Sequence, residues 1–359
     1  MTRLFDPNGS KVFSIPAGAN FLGEFARQLA EETALKDNPE ALADALIYVP
    51  NRRSERALAF ALYQAAGGKA VLLPNIRALG DLESRDPPPS AEAALADLPP
   101  VMSAAQRTGA LTKLVMAYYQ ALEAQMPAVS CLAAARELAR LLDQAALSGD
   151  VDWAALEALV PEASLASHWQ QSVRFLKIIT NEWPVHLEEA QQMDPYVRRY
   201  AAAEAMARVW QDTPPDAPVI IAGSTGATPA SRVLMRAALN LPKGLIVFPG
   251  LDLELTSSTL TQLKTTPSHP QFTLARTLSE LGLTPQAVQV WPNLKDEATQ
   301  TVRRRLIHES LAPAEGTSDW TKKLAMMSSD GDAAQFVKTA LTGLDLIEAS
   351  DDTEEALIA

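Results

Sequence analysis

In the first 80 positions, short apolar runs alternate with segments whose apolar residues recur every three or four positions. "KVFSI" (11–15) is followed by Phe21, Phe25 and Leu29 at i, i+4 and i+8, one face of a 3.6-residue period. "DALIYVP" (44–50) is a continuous apolar run closed by Pro50, the pattern of a strand buried on both faces. A second helical pattern, "NRRSERALAFALYQAAGG", turns Leu58 and Leu62 inward and stops at Gly67-Gly68. "KAVLLP" (69–74) reads as a third strand. Strands alternating with helices predict parallel βαβ units.

Residues 83–100 carry five prolines, which remove backbone donors and fix φ, and are expected to form a linker. From 101 to 212 the pattern is almost wholly helical. Ser103 and Gln106 have the spacing of a capping box, and Leu111, Leu114, Val115, Tyr118 and Leu122 follow as one stripe. Two further stripes run through Leu138, Leu141, Leu142 and Ala145 and through Trp169, Val173, Leu176 and Trp183. Asp194-Pro195 has the form of a cap followed by a first-turn proline.

At "PVIIAG" (218–223) the period changes back to that of a strand, with Thr228 and Pro229 placed to open the next helix. "GLIVFPGLDLEL" (244–255) reads as another strand ending in a Pro-Gly turn, and 256–330 is polar with short helices. "LDLIEAS" (344–350) is expected to be one more strand, and "DDTEEALIA" the start of a helix cut short by the end of the chain.

Composition narrows the function classes. The net charge of −12 argues against a general polyanion binder, although a local basic groove on an acidic body remains open. One cysteine, Cys131, rules out an internal disulfide or a cysteine cluster. It lies in a helical pattern and reads as core, in a protein of the reducing cytoplasm. No segment has the length of a bilayer span, and the N-terminus lacks a signal-peptide pattern.

Pro16, Ala17, Gly18, Ala19 and Asn20 make a small-residue loop between a strand and a helix, the position of a phosphate loop. The Lys and Ser/Thr that would hold the β/γ-phosphates and Mg²⁺ are replaced by Phe21, Leu22 and Gly23. Arg52, Arg53 and Arg56 open the helix after the second strand, where cations oppose the helix dipole. They are either a solvated face or contacts to single-stranded nucleic-acid phosphates. "GSTGATP" (223–229) lacks nucleophile-elbow spacing, and Ala222 and Gly223 stand where a Mg²⁺-holding acid would be wanted. It reads as a tight turn capped by Thr228. His168, His186, His269 and His308 have no metal-ligand spacing. Arg303, Arg304 and Arg305 are a solvated run or a further nucleic-acid contact.

Several segments, in order, carry a resemblance: "FSIPAGANFLGEFARQLA", "ADALIYVPNRRSERAL", "LPNIRALGDL", "HWQQSVRFLKIITNEWP", "PVIIAGSTGATPASRVLMRAAL", "IVFPGLD", "HPQFTLARTLSELGL" and "DLIEASDDTEEA". They resemble the AddB family of alphaproteobacterial type, the B subunits of the AddAB helicase–nucleases that process double-strand breaks. The resemblance implies an α/β, RecA-like (P-loop NTPase-like) parallel sheet with a large all-α insertion, as in superfamily 1 helicases. It divides the chain into a first part of the RecA-like domain (1–82), the linker (83–100), a helical insertion (101–212), the rest of the RecA-like domain (213–340) and the start of a second one (341–359). It implies a non-motor region that guides or recognises single-stranded DNA, including the regulatory Chi sequence, and docks the AddA subunit. Pro16 to Asn20 then mark a degenerate phosphate loop, and Arg52, Arg53 and Arg56 the DNA contacts. No cofactor is expected in this stretch; an iron–sulfur cluster and Mg²⁺ would belong to a nuclease domain beyond it, and Cys131 matches no cluster ligand. Two alternatives stay open: a nucleotide-dependent ATPase or helicase using the degenerate loop, and a purely structural partner-docking module.

Overall fold

The computed structural model describes residues 4–6, 9–82, 91–149, 151–153, 155, 166–295, 298–313, 320–327 and 332–358. The first half of the sheet is β1 (Val12–Ile15), β2 (Leu46–Val49) and β3 (Asn75–Ala78), with α1 (Phe21–Glu32) and α2 (Arg52–Ala65) between them. Then come α3 (Glu92–Ala96), α4 (Ala104–Ala121), α5 (Ala128–Ser148), α6 (Ala166–Lys177), a π-helical turn over Ile178–Glu182, α7 (Trp183–Glu189) and α8 (Pro195–Asp212). The chain returns to the sheet with β4 (Val219–Ala222), α9 (Pro229–Asn240) and β5 (Gly244–Pro249). It continues through α10 (Ser257–Leu263), α11 (Phe272–Leu281), β6 (Gln289–Val290), α12 (Ala298–Ser310), α13 (Trp320–Met327), α14 (Ala333–Leu341) and α15 (Asp352–Ile358).

All strand pairs are parallel, in the order β3-β2-β4-β5-β1-β6. The strands are apolar on both sides because both faces are covered. Ile47 and Val49 of β2 pack with Phe25, Leu29, Leu58 and Leu62 of α1 and α2. Leu46 and Tyr48 point the other way, toward Met206 and Trp210 of α8 and Leu234 of α9. Crossovers from β1 to β2 to β3 therefore run toward one edge over one face. Those from β4 to β5 to β6 run back over the other, so all share one hand, as parallel crossovers require. The direction reverses between β1 and β5, where loops at the carboxyl ends of the strands part and leave a crevice. This α/β architecture is compatible with a RecA-like fold.

The helical part has its own core: Leu111, Val115, Cys131, Ala135, Leu138, Ile178 and Trp183. Cys131 is buried there, and the Ser103–Gln106 capping box is formed. Asp194 occupies the N-cap position of α8, but its carboxylate lies 2.9 Å from Nε of buried Arg107 and accepts from Trp183 Nε1. Burial raises the Asp194 pKa, against the pull of Arg107. A buried ion pair tying α4 to α8 thus takes the carboxylate expected to cap.

Two expectations are corrected. The third strand is Asn75–Ala78, not 69–74; Leu72 and Leu73 in the earlier segment are exposed. The Pro-Gly turn expected to end the strand begun at 244 is present: β5 stops at Pro249, and Gly250 turns with φ +63°. Residues 344–350 pair with no strand among the described residues; Leu346 and Ile347 face solvent, and only the following helix forms. Much of the expected linker, 83–90, lies outside the described residues, and 92–96 is the short helix α3.

Candidate functional site

The loops after β1, β2, β4 and β5 all open on the carboxyl edge of the sheet. After β1, Gly18 takes φ +88°, and Asn20 caps α1 by accepting from Gly23 N at 3.2 Å. The loop spends part of its hydrogen bonding internally, because Ala19 N donates to Pro16 O at 3.3 Å. Helix α12 leans on the same loop. Arg304 donates to Ala17 O at 3.2 Å, and the Gln300 side chain stands against Gly18. Four residues further, His308 Nδ1 meets Asp252 Oδ2 at 2.5 Å on the loop after β5. Gln300, Arg304 and His308 fall at i, i+4 and i+8, so one stripe of α12 binds both loops at the reversal point.

Beside this stripe lies a cleft of about 500 Å³, whose lining includes Ala17, Gly250, Leu251, His269, Ile307 and Lys323. Its polar groups are engaged with one another. His269 Nε2 pairs with Leu311 O, Gln271 donates to Gly250 O, and Lys323 pairs with Glu309. The bond from Asp252 raises the His308 pKa above its ordinary value; partial burial opposes it, and the charges of Asp252, Glu254 and Glu309 reinforce it.

After β2, Asn51 caps α2 through Ser54 N at 3.0 Å. Arg52, Arg53 and Arg56 are exposed on its first turns. Arg52 Nε lies 2.5 Å from Asp81 Oδ2 beside β3, whereas Arg53 and Arg56 make no ion pair among the described residues. The three arginines thus share a helix end, but one is anchored within the fold.

The turn after β4 is tied down. Gly223 and Gly226 have φ of +76° and +74°, and Thr228 forms a capping box with Ser231. Arg232 Nη1 donates to Gly226 O at 2.9 Å, and Thr277 Oγ1 to Thr225 O at 2.8 Å. The tight-turn reading of "GSTGATP" matches this geometry.

The basic run at 303–305 serves packing. Arg303 donates to Ala340 O, Arg304 to Ala17 O and Arg305 to Met327 O. Of the histidines, His186 stacks on Trp183, while the side chain of His168 lies outside the described residues. Among the described residues no three His, Cys, Asp or Glu side chains gather as a metal site, and no helix is long and apolar enough to cross a membrane.

No family model and no curated protein matches the chain. Function therefore rests on the geometry and on the resemblance of the quoted segments.

The residues present do not fit a nucleotide with Mg²⁺. The loop after β1 lacks the Lys and hydroxyl, and Ala222-Gly223 supply no carboxylate for the metal. They do not fit an iron–sulfur cluster either, since Cys131 is the one cysteine and lies in the helical core.

Sequence reasoning missed the contacts of α12. His308 and Asp252 are 56 positions apart, and no spacing rule links them. The four-residue spacing of Gln300, Arg304 and His308 was the one legible sign that they share a face.

Proposed function

We propose that this chain is the N-terminal, helicase-like region of an AddB-type subunit, with a RecA-like domain and a helical insertion of the superfamily 1 kind. In this reading it guides single-stranded DNA during double-strand-break repair in the cytoplasm and docks an AddA-type motor subunit. It does not turn over ATP.

One observation carries the DNA reading. Arg53 and Arg56 stand in solvent on the first turns of α2, at the carboxyl edge of the sheet, without an ion pair among the described residues. Cations at that end are unfavourable to the helix by themselves, and a phosphate backbone alongside them reverses the sign of that interaction. Arg52, fixed by Asp81, gives the same strand a pre-positioned third contact. The loop of Pro16 to Asn20 supports the non-motor reading, because its residue types and its contacts with α12 leave phosphate chemistry without its usual groups.

The test is the salt dependence of single-stranded DNA binding by the full chain. Arg53→Ala with Arg56→Ala is expected to weaken binding and to lower the slope of log K against log salt by about 1.4, two single-strand phosphate contacts. An unchanged slope removes these arginines from the interface. Tight Mg²⁺-dependent ATP binding would favour the ATPase alternative, and absence of any DNA affinity the docking module.

A further inference from the structure

Helix α2 carries more than arginines on its outer side. Phe60 and Tyr63 are 59% and 45% exposed, large aromatic surfaces left in water on a helix whose Leu58 and Leu62 are fully buried. Their rings lie 6.4 Å apart, tilted by 31°. At 100° per residue, Arg53, Arg56, Phe60 and Tyr63 fall within an arc of about 80°, while Glu55 lies outside it. The helix therefore presents a continuous stripe, two cations followed by two aromatic rings, with no acid in it.

We propose that Phe60 and Tyr63 form a base-stacking platform that continues the arginine contacts, so that α2 holds single-stranded nucleic acid by its phosphates at one end and by its bases at the other. This inference rests on the DNA reading of Arg53 and Arg56. Single-stranded nucleic acid is the occupant that fits, because a cationic track beside exposed aromatic faces is what binds such strands without sequence preference. A protein partner would match the aromatic surface but leave the aligned cations unaccounted for. Stacking also gives the site a property that phosphate contact alone lacks: it requires bases.

The experiment compares two probes with the full chain at one ionic strength: an oligothymidylate of about 20 nucleotides and an abasic phosphodiester strand of equal length. Phe60→Ala with Tyr63→Ala is expected to weaken oligothymidylate binding about tenfold or more and to leave the abasic strand unaffected. Arg53→Ala with Arg56→Ala is expected to weaken both. Phe60→Trp, which keeps an aromatic face, is expected to retain binding and guards against an effect of misfolding.

If the arginine variant weakens both probes while the aromatic variant changes neither, the stacking platform is overturned and the phosphate reading stands. If the aromatic variant weakens both probes equally, its contribution does not pass through bases and the platform is again overturned. If the aromatic variant loses a protein partner but keeps oligothymidylate, the stripe is a protein-docking face instead. No effect of the arginine variant, or no affinity of the wild type for oligothymidylate, overturns the reading and the inference together.

Discussion

A Cβ on Gly18 would stand 2.6 Å from Oε1 of Gln300, inside any normal contact distance. The loop after β1 and the first turn of α12 are thus fitted to each other through the absence of a side chain. Gly18→Ala carries two penalties: a non-glycine residue at φ +88° and displacement of the Gln300 amide. We expect a loss of about 1–2 kcal/mol in urea unfolding. The Gln300→Ala background should remove the steric part and leave the conformational part. Because the glutamine is a flexible side chain, most of the loss should persist in that background. An identical cost in both backgrounds would mean that Gln300 does not press on the loop in solution.

The second contact of the same helix stripe makes stability depend on pH. His308 is held by Asp252 and gains a proton more readily in the folded chain than in the unfolded one. Its contribution is therefore complete below the ordinary histidine value of about 6.5 and is lost as pH rises through the folded value. Glu254 and Glu309 add to the field favouring the cation, and Glu309 itself pairs with Lys323. His308→Gln should abolish this slope, so wild type and variant converge in stability as pH rises through that window. Parallel curves would show that the pair does not form.

The parallel sheet was legible because its strands are buried on both faces and read as unbroken apolar runs. Leu46 to Val49 and Val219 to Ala222 could be placed from their own residues. The edges were not. β3 (Asn75–Ala78) is only partly buried and includes Asn75 and Arg77, whereas the more apolar Val71 to Leu73 before it misled the reading. β6 is two exposed residues, Gln289 and Val290, defined by pairing with β1 and not by side-chain character. Leu344 to Ile347 show the converse, an apolar pattern with nothing among the described residues to pair with. At the site, Gly18, Asn20 and Arg52 to Arg56 were visible because they belong to local strand–turn–helix units. The aromatic stripe was not read from the sequence, because Phe60 and Tyr63 look like ordinary core residues until their exposure is known.

Gly226 offers the sharpest test of whether the turn after β4 is architecture. Its φ is +74°, and a Cβ would lie 2.4 Å from Thr277 Oγ1 and 2.6 Å from Thr277 Cγ2. Thr277 cannot swing away cheaply, because it is fully buried and its hydroxyl donates to Thr225 O. Arg232 holds the same turn through Gly226 O and pairs with Glu280 of α11. Gly226→Ala should therefore destabilise the chain by about 2–4 kcal/mol, combining backbone strain with displacement of a buried, bonded side chain. Thr277→Val keeps the bulk but removes the donor to Thr225 O, and should cost about 1 kcal/mol. Neither change should alter the salt slope of the proposed DNA binding at temperatures where the variants remain folded, since the turn's groups are spent on α9 and α11. A Gly226→Ala chain with wild-type stability and weakened DNA binding would move this turn from the scaffold into the binding surface.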